Sequence, residues 1–389
     1  MKILYDFQAF DMQTHGGVSR CFVELYNHRP DNVEMEFGVV ETGNVYLQNI
    51  GFKHEGYTWD NFLAKGKFPM KKVLYKTYYN CKYGHPGEWD HNPRLNRLYT
   101  EKRLRKADFD IFHPTFFDPY FLEYIGNKPF VLTIHDMIPE LFPKYYPKTN
   151  EQIIYKKLLA PKATHIVTVS EQTKKDVINI LGVPENKVSV VYHGADPAPY
   201  YPSVGTNFDF EYILYIGERH MYKNFMGFCR DVMPILRRHK ELKVVCTGKP
   251  FTNEEYFFFD AFGMRERFIY MFMETNQDML DLYHNAIAFV YPSAYEGFGI
   301  PILEAYKADC PIMLNRASCF PEIAGDAAVY FTMGKDSSDF EEQFELLYHL
   351  NGNERNAIIE KQRERLKKFS WEKSAMELVN VYNNVMKNI

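Results

Sequence analysis

Tyr291-Pro-Ser-Ala-Tyr-Glu296-Gly297-Phe298-Gly299-Ile300-Pro301-Ile-Leu-Glu304 is the stretch on which the fold turns. Residues 287–291 are apolar and β-prone and read as a strand, and Pro301 suits the first turn of a helix, where its missing N–H is no loss. Between strand and helix, Gly297 and Gly299 let backbone N–H groups come close to a ligand. The helix start adds partial positive charge for any anion held there. Glu296 stands before the turn and Glu304 at the end of the first helical turn, so two carboxylates flank one pocket.

Outward from this turn, short apolar runs alternate with helical patterns. Strands are predicted at 2–5, 36–40, 111–114, 130–134, 165–169 and 187–192, then at 212–216, 242–247, 268–271, 287–291, 311–314 and 328–331. Helices are predicted at 18–27, 171–181 and 225–239. This alternation predicts an α/β protein with doubly wound parallel sheets, and its two series predict two Rossmann-like domains. Pro197, Pro199, Pro202 and Gly205 crowd a segment without apolar periodicity and mark the linker. The division is therefore 1–200, 208–369 and a terminal helix over 370–389. Trp371, Ala375, Leu378, Val379, Tyr382 and Met386 fall on one face of that helix, which is predicted to cross back onto the first domain.

The chain has 389 residues, a formal net charge of −4 and 25% charged residues, which excludes wholesale disorder and gives no nucleic-acid footprint. Mean hydropathy is −0.39, and no apolar run approaches the ~20 residues of a membrane span. The start, MKILYDFQAF, runs straight into a strand pattern without signal-peptide architecture. Six cysteines stand apart without a C-x-x-C pair and read as buried reduced thiols of a cytoplasmic protein. One segment departs in composition. From Lys65 to Lys106, twelve Lys/Arg face three acids, interleaved with five Tyr and one Trp. Such a surface attracts anionic lipid headgroups or a phosphorylated acceptor.

A resemblance now joins these observations. Glu296-x₇-Glu304 after a strand, with Gly-Phe-Gly-x-Pro inside it, resembles the signature of the retaining GT-B glycosyltransferases of family 4, the group 1 transferases. Gly217-Glu-Arg219-His-Met-Tyr-Lys223-Asn224 is similar to that family's phosphate loop, and Thr133-Ile-His135-Asp136 to its first-domain His-Asp motif. Val169-Ser170-Glu-x-x-Lys174-x-Asp176, His193-Gly194-Ala195-Asp196, Pro321-Glu322 and Phe369-Ser-Trp371-Glu372 match further segments in order. Asp309 stands where the family has Gly, and the Asp-Pro usual after the last strand is missing.

The resemblance implies a GT-B fold, two Rossmann-like domains facing a cleft, with the acceptor on the first and a nucleotide-sugar donor on the second. It implies UDP- or GDP-sugar as donor, a glycan or lipid-linked acceptor, and polysaccharide or cell-envelope glycan synthesis. Arg219 and Lys223 would stabilise the departing diphosphate, both pointing the same way; Glu296 and His135 would contact the donor sugar near the reacting carbon. Glu304 would hold the ribose hydroxyls. Gly16, Gly17, Gly217, Asn224, Gly297, Phe298, Gly299 and Ile300 would line the donor. The two cations leave no task for a metal, and no cofactor beyond the co-substrate is expected. Asp108-Phe-Asp110 reads as a strand entrance rather than a metal site. The basic segment points to peripheral association with the inner face of an anionic membrane. Two other readings stay open: a non-hydrolysing nucleotide-sugar epimerase and a non-catalytic nucleotide-sugar-binding protein. A dehydrogenase is disfavoured, since no G-x-G-x-x-G opens either half.

Overall fold

A computed structural model describes residues 1–52, 69–83, 93–196, 198–203, 208–219, 221–334 and 338–388. Part of the expected linker and part of the basic segment lie outside these residues.

In the first half, β1 (Lys2–Tyr5), α1 (Gly17–Asn27), β2 (Glu34–Phe37), β3 (Ile111–His113), β4 (Val131–Ile134), β5 (His165–Thr168), α2 (Glu171–Leu181) and β6 (Val188–Val190) succeed one another. The strands form two parallel sheets, β2-β1-β3 and β4-β5-β6, joined by a parallel bridge between Phe112 and Phe130. Residues on both faces of β3 and β4 are buried, as expected where helices cover a parallel sheet on both sides. The predicted strand at 36–40 instead runs over Glu34–Phe37 and stops where a side chain takes the Gly38 carbonyl. There Thr100 donates to the Gly38 carbonyl at 2.7 Å, and a Cβ at Gly38 would stand 2.3 Å from that hydroxyl.

The second half carries β7 (Tyr212–Tyr215), α3 (Phe225–Arg238), β8 (Lys243–Cys246), α4 (Asn253–Ala261), β9 (Phe268–Tyr270), β10 (Ala288–Tyr291), α5 (Ile300–Lys307), β11 (Ile312–Asn315), β12 (Val329–Phe331) and α6 (Phe340–Tyr348). Its six strands are parallel in the order β12-β11-β10-β7-β8-β9. Chain order reverses between β7 and β10. A crevice opens at such a switch point beyond the carboxyl ends of the two strands, where α/β sheets bind ligands.

The last helix, α7 (Trp371–Lys387), begins at a parallel bridge between Ala195 and Ser370. Its Trp371, Ala375, Leu378, Val379 and Tyr382 are buried in the core of the first half, with Ile3, Phe22 and Val167. The Tyr382 hydroxyl lies 3.1 Å from that of Tyr5 and 2.7 Å from His113 Nδ1, whose Nε2 meets Thr133 Oγ1 at 2.8 Å. One buried polar chain thus pins α7 to β1, β3 and β4. Of the six cysteines five are buried, but Cys81 is exposed, against the expectation of uniformly buried thiols.

Burial, and then the neighbouring His135, push the His113 imidazole down to about 3. The unfolded chain protonates this group near pH 6.5 while the fold keeps it neutral. Below that pH the unfolded state binds more protons, and stability falls with the pH. Between pH 7 and 5, His113→Asn is expected to remove about 2 kcal/mol of the acid-induced loss in urea unfolding. An identical loss in wild type and variant would contradict this.

Candidate active site

The loops leaving β7 and β10 meet at the switch point. Lys223 closes a short 3-10 turn, Met221–Lys223, and its Nζ donates to Glu296 Oε1 at 2.7 Å. The Glu296 residue is buried. The Ala294 N–H donates to the Tyr222 carbonyl at 2.8 Å, which fixes the two loops against each other. Tyr291 lies below the pair; burial, then the Glu296 charge, push its phenol up. Asn224 adopts the left-handed conformation (φ 55°) at the cap of α3. Its amide fills the space beside Gly227, where a Cβ would come within 2.4 Å of Asn224 Oδ1.

The glycine turn itself touches the first half. The Gly297 carbonyl accepts from Ser170 Oγ at 2.6 Å and Thr173 Oγ1 at 3.3 Å. A Cβ on Gly297 would lie 1.9 Å from the His135 carbonyl oxygen, so only glycine fits. Phe298 packs edge-on to His193, with ring centroids 4.9 Å apart. Gly299 holds φ +90° and caps α5, and the Ile300 side chain reaches to 3.7 Å from the Cβ position of Gly17. His135 is half-buried beside this turn, stacked on His193 with centroids 5.8 Å apart, and its buried Nε2 has no hydrogen-bond partner among the described residues. Burial pushes its imidazole down to about 4, against the opposing charge of Asp136. Asp136 itself accepts the Ile138 N–H at 2.9 Å and supports the loop. Glu296, Lys223, Gly297, Phe298, Gly299, Ile300, Gly17 and His135 therefore share one neighbourhood.

Glu304 lies further along α5. It accepts from Tyr283 at 3.2 Å and pairs with Arg20 of α1 at 3.4 Å. Lys307 reaches Asp196 at 2.8 Å. With Ile300 and Leu303 these four charged side chains line a cavity of about 60 Å³. Nearby, Gln13 Oε1 accepts the Ser19 N–H at 3.0 Å at the start of α1, and Gly16 packs on the same Gln13 side chain. Arg20 and Gln13 were not singled out in the sequence, though both lie in or beside the loop that holds Gly16 and Gly17.

Arg219 departs from expectation. Its guanidinium turns away from Lys223 and donates to Glu255 at 2.7 and 3.2 Å, to the Lys249 carbonyl at 2.6 Å and to the Pro250 carbonyl at 2.8 Å. Glu255 is the third residue of α4 and closes a capping box with Thr252. A buried carboxylate and a set of carbonyls at the end of β8 need a planar multiple donor, which arginine supplies. Arg219 is a brace for the loop that starts at Gly217 (φ +97°), and Lys223 is the cation facing Glu296. The spacing Thr252-x-x-Glu255 is that of a capping box, but the pairing of Glu255 with Arg219 has no local sequence signal. Glu322 accepts the N–H groups of Glu171 and Gln172 at 2.6 and 3.1 Å, so it caps α2 from the other half. Asp110 accepts the Lys2 N–H, and Asp108 pairs with Arg103 and Lys106.

Comparison with known proteins then decides the family. The family model described as Glycosyltransferase Family 4 matches residues 73–199, and that described as Glycosyl transferases group 1 matches residues 202–365. The chain belongs to the family 4 glycosyltransferases. This glycosyltransferase is 28% identical to the O-antigen chain mannosyltransferase B of Escherichia coli, over 72% of this chain and 75% of that protein. It is 25% identical to the O-antigen chain mannosyltransferase RfbU of Salmonella typhimurium, over 55% of this chain and 63% of that one. Among solved structures, Anabaena HepE in complex with UDP and glucose superposes with a TM-score of 0.68 at 15% identity, covering 99% of this chain and 100% of that one. TarM superposes with a TM-score of 0.68 at 12% identity, with 98% of each chain covered. The fold is GT-B. Among the described residues no helix is long and apolar enough to cross a membrane.

If Gly297 is held against His135 as described, Gly297→Ala should destabilise the glycosyltransferase by about 1–3 kcal/mol through overpacking. X-ray scattering of the ligand-free variant should show a larger radius of gyration, with a lowered melting temperature. Scattering and melting like wild type would contradict the contact.

Proposed function

We propose that this glycosyltransferase moves a hexose, with retention of anomeric configuration, from a UDP- or GDP-sugar to a glycan or lipid-linked acceptor in cell-surface polysaccharide synthesis. The O-antigen mannosyltransferases among its relatives support the pathway class and make mannose the first sugar to try. The observation that carries the reading is the Lys223–Glu296 pair before the start of α5, beside a half-buried His135 whose Nε2 is buried and unpartnered among the described residues.

The chemistry follows from what these groups can do. As the bond between the sugar carbon and the phosphate oxygen breaks, its electron pair moves to the diphosphate. The Lys223 ammonium and the amide end of α5 meet that growing charge in a site that excludes water. Glu296 accepts from donor-sugar hydroxyls, and His135, neutral at physiological pH, donates or accepts a hydrogen bond at the same sugar. The acceptor oxygen bonds to the reacting carbon on the face the phosphate leaves, and its proton passes to the departing phosphate. Glu304 exchanges Arg20 for the ribose hydroxyls. The donor enters at the solvent-open side of the cavity lined by Arg20, Glu304 and Lys307, and the halves close over it.

In a nucleotide-release assay with UDP- and GDP-sugars, Glu296→Gln and Lys223→Met are each expected to lower turnover about 10²–10³-fold. Turnover by the wild type should be the same in EDTA as in Mg²⁺, since the charge is supplied by Lys223 and the helix. Release at the wild-type rate by both variants would remove the assignment.

The reading also places the protein on the cytoplasmic side, at the inner face of the membrane. The helix Lys71–Tyr83 in the basic segment exposes Val73 and Leu74 next to the exposed Met70. Apolar side chains among lysines suit an anionic lipid surface. The protein should therefore pellet with anionic vesicles at low salt and leave them at high salt. Equal pelleting with neutral vesicles would refute the electrostatic attachment.

A further inference from the structure

A second group of side chains with coordination chemistry lies at the far end of α3. His239 follows that helix directly, its N–H donating to the Ile235 carbonyl at 2.9 Å. Glu345 lies on α6, and His349 follows α6 four residues later, so the two share one face. His239 Nε2 is 3.1 Å from each Glu345 carboxylate oxygen, and His349 Nε2 is 3.3 Å from Oε2. The three candidate ligand atoms lie within 4.8 Å of one another.

The two His–Glu spacings are close to those of a coordination polyhedron, and the two histidine nitrogens come within 4.8 Å of each other. Zinc bonds of about 2.0–2.1 Å in a tetrahedron set neighbouring ligand atoms roughly 3.3 Å apart. Two imidazoles and one carboxylate suit Zn²⁺ with a fourth position for water, whereas Mg²⁺ demands an octahedron of oxygens. Arg238 competes for Glu345, yet it is exposed and also holds Glu341 at 2.6 Å, so it can keep that partner when Glu345 turns. The His239 ring is fixed by Tyr348, with centroids 4.4 Å apart, and the Tyr348 hydroxyl donates to Glu211 at 2.7 Å.

We propose that His239, Glu345 and His349 form a Zn²⁺ site that clips the end of α3 to the end of α6. At 14 residues, α3 is about 21 Å long, which puts the site that far from Lys223 and Asn224 at the helix start. The metal is therefore structural and takes no part in sugar transfer.

The full chain, stripped with a chelator and dialysed, is titrated with ZnCl₂ alone and with MgCl₂ alone by calorimetry. The expected result is one Zn²⁺ per chain at micromolar Kd or tighter, no heat with Mg²⁺, and a raised melting temperature. His349→Ala, at an exposed position that the fold tolerates, and His239→Gln should each weaken Zn²⁺ binding at least about tenfold. Absence of binding overturns the site and leaves a hydrogen-bonded His–Glu–His cluster. Binding that persists unchanged in His349→Ala, or equal binding of Mg²⁺, overturns it too, since general attraction to Asp339, Glu341 and Glu342 would then suffice. Because these residues take no part in turnover, failure here leaves the transferase reading untouched, and an inactive wild type leaves this one untouched.

Discussion

The backbone of Gly297 against the carbonyl of His135 is the contact that decides how the two halves face each other. A Cβ there would stand 1.9 Å from an oxygen, and the Gly297 carbonyl is at the same time held by Ser170 and Thr173. Because the turn sits at the end of β10 and His135 at the end of β4, this approach aligns the carboxyl ends of two sheets. Phe298 and His193 then close the remaining space with a ring contact. Glu322 adds a charge-assisted cap on α2 from the opposite half. The cleft is thus shaped by the requirement that one residue have no side chain.

Charge in the cleft is compensated internally. Lys223 is spent on Glu296, and Arg20 on Glu304. Such pairing spares each buried charge an unpaired state and leaves both members in place for a ligand that carries its own charge and hydroxyls. Arg219 shows the opposite design. Its donors meet a carboxylate and a set of carbonyls, so without a ligand the guanidinium holds the loop. Two cations four residues apart in sequence have been given different work by the loop between them, which runs through a left-handed Met221 before the helix begins.

The parallel sheets and the glycine turn were legible because each strand and its following turn are local patterns. Element ends shifted by a few residues, as at Gly38, where a distant Thr100 hydroxyl takes the backbone carbonyl. Asp309 was read only as a departure from the family; it takes φ 54°, a left-handed conformation that Gly or a short polar residue adopts, and Arg363 holds it through both oxygens at 2.8 and 2.5 Å. The destination of Arg219 and the pairing of Arg20 with Glu304 were not legible. Each depends on which residue a fold hundreds of positions long brings opposite, and motif spacing carries no record of that.

The contacts between the halves are of two physical kinds, and the difference directs motion. Around Gly297 they are buried hydrogen bonds and a steric fit. Along the outer part of α5 they are Arg20–Glu304 and Lys307–Asp196, with Glu304 and Asp196 side chains 31% and 47% exposed. Ion pairs open to solvent contribute at most about 1 kcal/mol and weaken with salt. The Glu304 end of the cleft is therefore the side that yields first, while the end near His135 and Gly297 keeps its registration. On the proposed function, a donor entering from that side would exchange one weak charge pair for hydroxyl contacts to Glu304 and meet the Lys223–Glu296 pair already in place.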